Sequence, residues 1–384
     1  MVVATKIRLI PTKQQEELFW KSAGTARWAF NFFLRESEMW YKDTGKTLKE
    51  SEARKFINNT LKPNTHQWLK EVGSNVMKQA VKDADEARKR FFKGIADYPK
   101  LKSRHKSKPS FYVNYESLRR TLNGFQGEKI GRVKTAQPLP KLKNGQKYSN
   151  PRISFDGRNW FLSVGYEIEL KEVELTGESI GIDVGVKDLA IASNLDKPIK
   201  NINKSREVRR LEKKLKREQR KLSRKMEANI KSYTKNRKPI WKRPIRECKN
   251  IQKQRAVINN LHKRLVNIRN NHLHQATNKI VKTKPSRIVM ETLNVKGMMK
   301  NKHLAKAVAK QKLYEFKRQI QYKSQKYGIE FVEADMWFPS SKTCSCCGTV
   351  KSILKLSERT FQCECGFSMD RDKNASINLA NYSI

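Results

Sequence analysis

Two apolar segments that lie far apart in the chain each carry one acidic residue close to the end. Residues 179–185 read Ser-Ile-Gly-Ile-Asp-Val-Gly, and residues 286–291 read Ser-Arg-Ile-Val-Met-Glu. Short apolar runs of this kind predict strands buried on both faces, which occur mainly in parallel sheets. Parallel sheets bind ligands at the edge where the carboxyl ends of the strands meet. The sequence therefore predicts a domain in which Asp183 and Glu291 face one site.

A third acidic group follows near the end of the chain. Residues 370–379 read Asp-Arg-Asp-Lys-Asn-Ala-Ser-Ile-Asn-Leu, which is typical of a turn entering a helix. Three carboxylates at one point repel each other unless cations offset the charge, and oxygen-only ligands suit Mg²⁺ or Mn²⁺. Two such ions about 4 Å apart activate a water and stabilise the leaving oxygen of a phosphodiester. The three acids thus predict phosphodiester hydrolysis, with Asp370 and Asp372 both open as the third.

Each motif alone has another interpretation. A strand followed by Asp-x-Gly also opens the phosphate loops of sugar kinases and actin-like proteins. A single Glu at a strand end is often a solvated cap, and Asp372 could accept hydrogen bonds from helix N–H groups. The order and context of all three motifs favour the metal site.

The charge of the chain indicates its partner. Its 83 Lys and Arg residues against 37 Asp and Glu give a formal net charge of +46. Such an excess predicts a polyanionic partner, and nucleic acid fits because neutralising phosphates releases counterions. Residues 203–249 alone contain 20 Lys or Arg and five acids.

Two apolar stripes accompany these cations. Their members are Val208, Leu211, Leu215 and Leu222, followed by Ile258, Leu261, Leu265 and Ile268. The helical spacing predicts an antiparallel pair of basic helices that faces nucleic acid. A protein-binding coiled coil is the alternative.

Five of the six cysteines lie within 22 residues near the C-terminus. They are Cys344, Cys346 and Cys347, followed after a gap of 15 residues by Cys363 and Cys365. Paired cysteine knuckles, each followed by Gly, are typical of a zinc ribbon. We predict one structural Zn²⁺ bound by Cys344, Cys347, Cys363 and Cys365. Cys346 could replace a ligand because the second pair is one residue shorter than usual, and metal-free reduced thiols are the alternative.

The N-terminal part predicts a different architecture. An alternating start runs into Pro11, after which Thr12 and Gln15 indicate a capping box that opens a helix. Helical patterning continues to about residue 93, and short alternating segments over 110–172 predict strands. No apolar run reaches the roughly 18 residues of a membrane span, and the start lacks a signal-peptide profile. We expect a cytoplasmic, nucleoid-associated protein built around a small β-barrel that a helical insertion interrupts.

Together these motifs resemble TnpB, the RNA-guided nuclease family of bacterial and archaeal insertion sequences, which is related to type V CRISPR effectors. The resemblance covers essentially the whole chain and is most specific in the C-terminal motifs. The motifs that carry it are residues 181–185, 290–295, 338–344, 347–348, 356–360, 363–366 and 370–375, supported by 6–12 and 111–115.

The resemblance implies a mixed α/β, multidomain fold. Residues 1–10 and 110–175 would form a wedge β-barrel, and 11–109 a helical recognition insert. Residues 176–336 and 367–384 would form an RNase H-like (RuvC) nuclease domain that carries the basic helical hairpin 203–282. Residues 337–366 would form the zinc ribbon inserted into it. In this family the third acid stands two residues before Asn, which selects Asp372, and Arg359 is expected to contact the scissile phosphate.

The resemblance also implies the partners. A guide RNA made from the transposon end would pair with double-stranded target DNA, and the RuvC site would cut both strands. We expect a monomer in the RNA complex. Polar residues at the start of one helix suit a major groove and are candidates for reading a short motif beside the target. These are Ser74, Asn75, Lys78 and Gln79, for which an ordinary solvated helix face is the alternative.

Phosphate contacts are expected from the basic hairpin and from residues 98–108. In the hairpin the candidates are Lys213, Lys214, Arg217 and Arg220. Two other functions use related architecture: a nuclease-inactive RNA-guided DNA-binding regulator, and a DNA-strand-transfer transposase. The first predicts loss of an acid, and all three acids are present. The cysteine cluster between the second and third acids counts against the second.

Overall fold

A computed structural model describes residues 1–104, 106–170, 173–355 and 357–383. Leu356, the first residue of the 356–360 motif, lies outside them. The chain forms two compact units, Met1–Glu169 and Leu170–Ile384. In the part of the chain that is described, no helix combines the length and apolarity needed to span a membrane.

The first unit contains a seven-stranded antiparallel sheet with the order β2-β6-β7-β1-β5-β4-β3. Its strands are β1 (Val2–Ile10), β2 (Ser110–Tyr112), β3 (Arg119–Thr121), β4 (Gly124–Gly127), β5 (Gly131–Thr135), β6 (Ser149–Phe155) and β7 (Trp160–Glu167). The central strand β1 pairs with β7 along Val2–Arg8 and with β5 at Leu9 and Ile10.

The helices of this unit lie between β1 and β2 in the chain, so they interrupt the sheet as the sequence predicted. They are α1 (Lys13–Thr44), α2 (Glu50–Phe56), α3 (Lys62–Asn64) and α4 (Ser74–Phe92), with a π turn at Ile57–Leu61 and a 3₁₀ turn at Gln67–Glu71. The predicted capping box is confirmed: Gln15 N donates to Thr12 Oγ1 at 3.3 Å, and Thr12 N donates to Gln15 Oε1 at 3.1 Å. The core joins α1 to the sheet where the Phe19 ring lies 5.2 Å from Trp160.

The second unit is built on a five-stranded mixed sheet with the order β10-β9-β8-β13-β14. The strands of the unit are β8 (Thr176–Val184), β9 (Asp188–Ala192), β10 (Ile199–Lys200), β11 (Ile230–Tyr233), β12 (Pro239–Trp241), β13 (Pro285–Glu291), β14 (Glu330–Ala334), β15 (Thr360–Gln362) and β16 (Ser368–Asp370). Strands β8, β13 and β14 run parallel, whereas β9 is antiparallel to β8 and β10 to β9. Both predicted apolar strands are therefore confirmed as parallel neighbours.

Helices flank this sheet and extend from it. They are α5 (Arg206–Ala228), α6 (Lys249–Val281), α7 (Val295–Lys300), α8 (Ala305–Gln311), α9 (Leu313–Tyr327) and α10 (Arg371–Ala380), with 3₁₀ turns at Ile202–Lys204 and Ile245–Glu247. The predicted basic hairpin is confirmed, because Val208 and Leu211 of α5 pack with Leu261 and Leu265 of α6. The sequence did not reveal the small hairpin β11–β12, which connects the two helices.

Candidate active site and thiol cluster

Asp183 and Glu291 occupy neighbouring positions on two parallel strands. Ile182 of β8 lies opposite Met290 of β13, so the next residue of each strand is an acid. Burial raises the pKa of the Asp183 carboxyl well above its usual range, and the charges of Glu291 and Asp372 raise it further. Burial also raises the pKa of Glu291, and Asp372 adds to this increase. The sheet therefore holds two mutually repelling carboxylates side by side.

The third acid reaches this point because α10 packs closely on β8. A Cβ atom on Gly181 would lie 2.0 Å from Ser376 O and 2.3 Å from Ala380 N, which no real side chain tolerates. Ser179 Oγ also donates to Ala380 O at 2.7 Å. Gly181, two residues before Asp183, thus permits the contact that brings the first turn of α10 to the strand ends.

The beginning of α10 assigns separate roles to its two aspartates. Asp370 is the N-cap: its Oδ1 accepts hydrogen bonds from the N–H groups of Asp372 and Lys373, both at 3.0 Å. The carboxylate of Asp372 is not used in this cap. It accepts from Arg371 Nη2 at 2.9 Å, and Arg359 Nη1 lies 3.9 Å from its Oδ2. The helix-capping role, which was the alternative interpretation of Asp372, is therefore performed by Asp370.

A cleft of about 510 Å³ contains all three acids and Arg359. Its wall also includes the cations Lys187, Lys342 and Arg371, none of which the sequence had singled out. Acids on the floor with cations around them suit a phosphate ester held beside a divalent ion. The cleft therefore brings together every residue predicted for catalysis.

The donor set of this cleft fits a hard divalent cation. Asp183, Glu291 and Asp372 offer only carboxylate oxygens, which Mg²⁺ and Mn²⁺ prefer. Among the described residues, however, only four cysteines bring three or more His, Cys, Asp or Glu ligand atoms within 4.8 Å of one another. The three acids therefore do not form so compact a set, and the Asp372 carboxylate is engaged with Arg371.

The thiol cluster has the geometry of a closed four-thiolate site. The Sγ atoms of Cys344, Cys347, Cys363 and Cys365 all lie within 4.8 Å of one another. The Cys344–Cys365 and Cys347–Cys363 separations are 3.8 and 3.6 Å. Zinc–sulfur bonds of about 2.3 Å in a tetrahedron place sulfurs roughly 3.8 Å apart. Cys346 is exposed and is not a member of the cluster.

A tight turn accommodates the short spacing of the second cysteine pair. Cys363 N donates to Phe367 O at 2.8 Å, and Gly366 N donates to Cys363 O at 3.0 Å. Gly366 has a φ of 86°, a conformation that favours glycine. The Thr349 hydroxyl, 3.3 Å from Cys347 Sγ, lowers the pKa of that thiol to about 6. The neighbouring thiols, Cys347 first, raise the pKa of Cys365 to about 12, so a metal ion is needed to hold all four as thiolates.

Two buried asparagines of α10 attach the first cysteine knuckle to the helix that carries Asp372. Asn374 Nδ2 donates to Thr343 O at 2.7 Å, and Ser345 N donates to Asn374 Oδ1 at 3.0 Å. Asn378 Nδ2 donates to Thr343 O at 2.6 Å and to Ser340 O at 2.8 Å. The backbone on both sides of Cys344 therefore rests on α10. The sequence contained these asparagines but gave no sign of their partners.

Comparison with known proteins identifies the family of this chain. A protein of Streptomyces pristinaespiralis, named as an RNA-guided DNA endonuclease, is 30% identical over 98% of this chain and 88% of its own length. This chain belongs to the TnpB family of RNA-guided DNA endonucleases. The family member InsQ of Escherichia coli K12, also named as an RNA-guided DNA endonuclease, is 27% identical over 98% of this chain and 91% of its own length.

Family models match separate parts of the chain. A Cas12f1-like TNB domain matches residues 314–379, and the OrfB_IS605 transposase model matches 163–302. A helix-turn-helix model of the same group matches residues 1–46, which form one strand and one long helix here. The structure of a Cas12f1–sgRNA–target DNA complex aligns over 99% of both chains with a TM-score of 0.52 and 13% identity. That likeness concerns the fold.

The nucleic-acid contacts predicted for this TnpB family member lie on two helices. The α5 set, Lys213, Lys214, Arg217 and Arg220, is exposed. The α4 set, Ser74, Asn75, Lys78 and Gln79, is half-buried on the first two turns. Gln79 Nε2 already donates to Asp83 Oδ1 at 2.9 Å. Both sets remain predictions.

Proposed function

We propose that this chain is an RNA-guided DNA endonuclease that hydrolyses phosphodiester bonds with Asp183, Glu291 and Asp372. The observation that carries the proposal is the meeting of these acids in one cleft, two from adjacent parallel strands and one from α10. The relatives named as RNA-guided DNA endonucleases supply the substrate class. Because all three acids are in place, the structure offers no support for a nuclease-inactive regulator.

The three carboxylates would hold Mg²⁺ or Mn²⁺, which when bound supplies an activated water and stabilises the leaving oxygen. The residues around them have their own tasks. Arg359, half exposed, and Lys342 line the cleft, where each can pair with a phosphate oxygen of the strand. Arg371 neutralises part of the charge of Asp372 and orients its carboxylate.

We further propose the family's domain organisation. Residues 1–10 and 110–175 would form the wedge barrel around the insert 11–109, and residues 176–336 and 367–384 the RuvC domain. The strand order supports an RNase H-like sheet, because β8, β9 and β10 are antiparallel neighbours and β13 and β14 run parallel to β8. Residues 337–366 would form a zinc ribbon with one Zn²⁺. Its four thiols leave no open ligand position, which makes the zinc structural rather than catalytic.

The basic helix α5 supports a guide RNA as partner. Of its 23 residues only Val208 and Leu211 are buried, so most of its cations face outward. We propose that Lys213, Lys214, Arg217 and Arg220 contact phosphates, while Ser74, Asn75, Lys78 and Gln79 contact the duplex beside the target. The RNA would derive from the transposon end, the protein would act as a monomer with it, and both DNA strands would be cut.

The test is to purify the protein from cells that express its native locus and to sequence the RNA that copurifies. The RNA complex is then incubated with Mg²⁺ and a plasmid that matches the guide, beside an Asp183→Ala variant. We expect a discrete RNA, a cut plasmid with the wild type and an uncut plasmid with the variant. Absence of bound RNA, or equal cutting by the variant, would reject the proposal.

A further inference from the structure

A second cavity adjoins the catalytic cleft. It has a volume of about 280 Å³, and Val184 and Glu291 line both spaces. The carboxylate that Glu291 contributes to the cleft therefore lies at the boundary between the two. A ligand in the cavity would touch the residue that acts on the scissile bond.

The walls of this cavity are mainly apolar. Val184, Leu293, Val295 and Leu313 contribute to them, and Leu313 is only 4% exposed. Tyr314, the second residue of α9, also lines the cavity but is 68% exposed. Its ring stacks on no other aromatic side chain among the described residues. Leu313 anchors the start of α9, while the face of Tyr314 stays available to a ligand.

The charges of the two spaces differ. Besides Glu291, the cavity contains one charged group, Lys317, whose Nζ is paired with Glu333 at 2.7 Å. The cleft contains the cations Lys187, Lys342, Arg359 and Arg371. The cavity thus suits an uncharged planar group, whereas the cleft suits a phosphate. In a DNA strand every phosphate is bonded to a nucleoside, so two adjoining spaces of these kinds suit a phosphate and a neighbouring base.

We propose that this cavity binds an unpaired nucleobase of the DNA strand being cut, with Tyr314 stacking on its face. The inference rests on the proposed nuclease function and adds to it a positioning residue, Tyr314, for an unpaired base beside the cut. Stacking on an aromatic ring tolerates every base, as an enzyme guided by RNA requires. Tyr314 would position the strand so that its phosphate lies in the adjoining cleft, beside the cations Lys342 and Arg359.

A fluorescence experiment tests the contact without requiring cleavage. The RNA-loaded protein carries Asp183→Asn, and matched target DNA carries 2-aminopurine at one position at a time across the cut region of each strand. We expect quenched fluorescence at one or two adjacent positions. Adding Tyr314→Ala should restore the fluorescence, while Tyr314→Phe should keep it quenched. Tyr41→Ala is the matched control, since Tyr41 is 57% exposed and lies outside the cavity.

A cleavage experiment completes the test. In the otherwise wild-type protein, Tyr314→Ala should slow single-turnover cutting by about tenfold or more, the loss typical of one base–aromatic stack. Affinity for the guide RNA and for the matched duplex should stay unchanged, and Tyr314→Phe should cut normally. If no position depends on Tyr314 and the Ala variant cuts at the wild-type rate, the cavity proposal is wrong while the nuclease stands. If the wild type does not cut, the nuclease proposal fails and the fluorescence alone decides the cavity.

Discussion

Asp183 and Glu291 lie on neighbouring strands of a five-stranded sheet, whereas the four clustered thiols lie on two turns with little regular structure around them. The strands that carry the acids are nine and seven residues long, and β15 and β16 beside the second thiol pair have three residues each. The sheet fixes the acids whether or not a cation is bound. The thiol turns depend on a metal for comparable rigidity.

The two groups also differ in electrostatics. The two acids are recessed: burial raises the pKa of Asp183 and the pKa of Glu291, and the charge of Asp372 raises both further. Their cleft stays open to a substrate. The thiols form a closed set whose geometry a single zinc ion satisfies. The two acids therefore repel each other but are held in place by the sheet, whereas the thiols need both a bound metal and an attachment to the rest of the unit. Asn374 and Asn378 of α10 provide the attachment.

The largest effect is expected from Glu291→Gln. Cleavage should fall by roughly a thousandfold, because the cleft loses a metal-binding charge of the kind that dominates such sites. Folding stability in the absence of divalent ions should stay equal or rise. The raised pKa means that the folded protein binds this proton more tightly than the unfolded chain, so the ionised group lowers stability at neutral pH and the amide does not. Plasmid cutting and thermal unfolding measure the two changes, and a variant that melts earlier would contradict the account.

Next in size is the loss of one thiol. Cys344→Ser should remove bound zinc and slow cleavage by about a hundredfold, because α10 and Asp372 lose their support and a shift of about 1 Å has that consequence. Cys346→Ser is the matched control and should keep zinc and activity, since Cys346 stands outside the cluster. Zinc content by mass spectrometry and cutting rate are the measurements. Zinc loss in the control would mean that Cys346 is a ligand after all.

Asn374→Ala tests the attachment itself. The substitution removes the acceptor of the Ser345 N–H group and one of the donors to the Thr343 carbonyl, which should lower stability by about 1–3 kcal/mol. Cutting should slow by about tenfold at unchanged zinc content. Asn381→Ala at the exposed end of α10 is the control and should change neither quantity. Full activity in Asn374→Ala would show that the knuckle and the acid are independent.

The smallest effect is expected from Asp370→Ala. Removing this N-cap should lower stability by about 1 kcal/mol and leave most of the cleavage activity, because Asp370 caps the helix whereas Asp372 is the proposed metal ligand. Asp372→Ala should have the reverse effect. Thermal unfolding and cutting rate of the two variants distinguish the two roles. If Asp370→Ala loses activity and Asp372→Ala keeps it, the assignment of the roles is reversed.

The sequence predicts features that depend on local pattern. The apolar runs placed Asp183 and Glu291 on buried strands, and the capping box at Thr12 and Gln15 needs only three residues of spacing. The roles of Asp370 and Asp372 could not be separated locally, because both stand where a helix begins. What separates them is the distance between α10 and β8, which Gly181 sets from 190 residues away along the chain.

Contacts between distant segments could likewise not be predicted from the sequence. Lys373 Nζ donates to the carbonyls of Ala192, Ser193 and Leu195, at distances of 2.7 to 3.3 Å, and so ties α10 to the end of β9. Arg371 pairs with Asp372 inside the cleft, although its sequence position suggested only a helix start. A basic residue in a chain with 83 of them carries no signal of its own, and only the fold identifies the few that serve the site.

The most direct test of RNA-guided cutting by this carboxylate site is to change the guide. The wild type and Asp183→Ala are each loaded with two RNAs that differ only in guide sequence, then given Mg²⁺ and two plasmids, each matching one guide. We expect the wild type to cut only the plasmid that matches its RNA and the variant, loaded equally, to cut neither. Cutting that ignores the guide, or that persists in Asp183→Ala, would contradict the proposal.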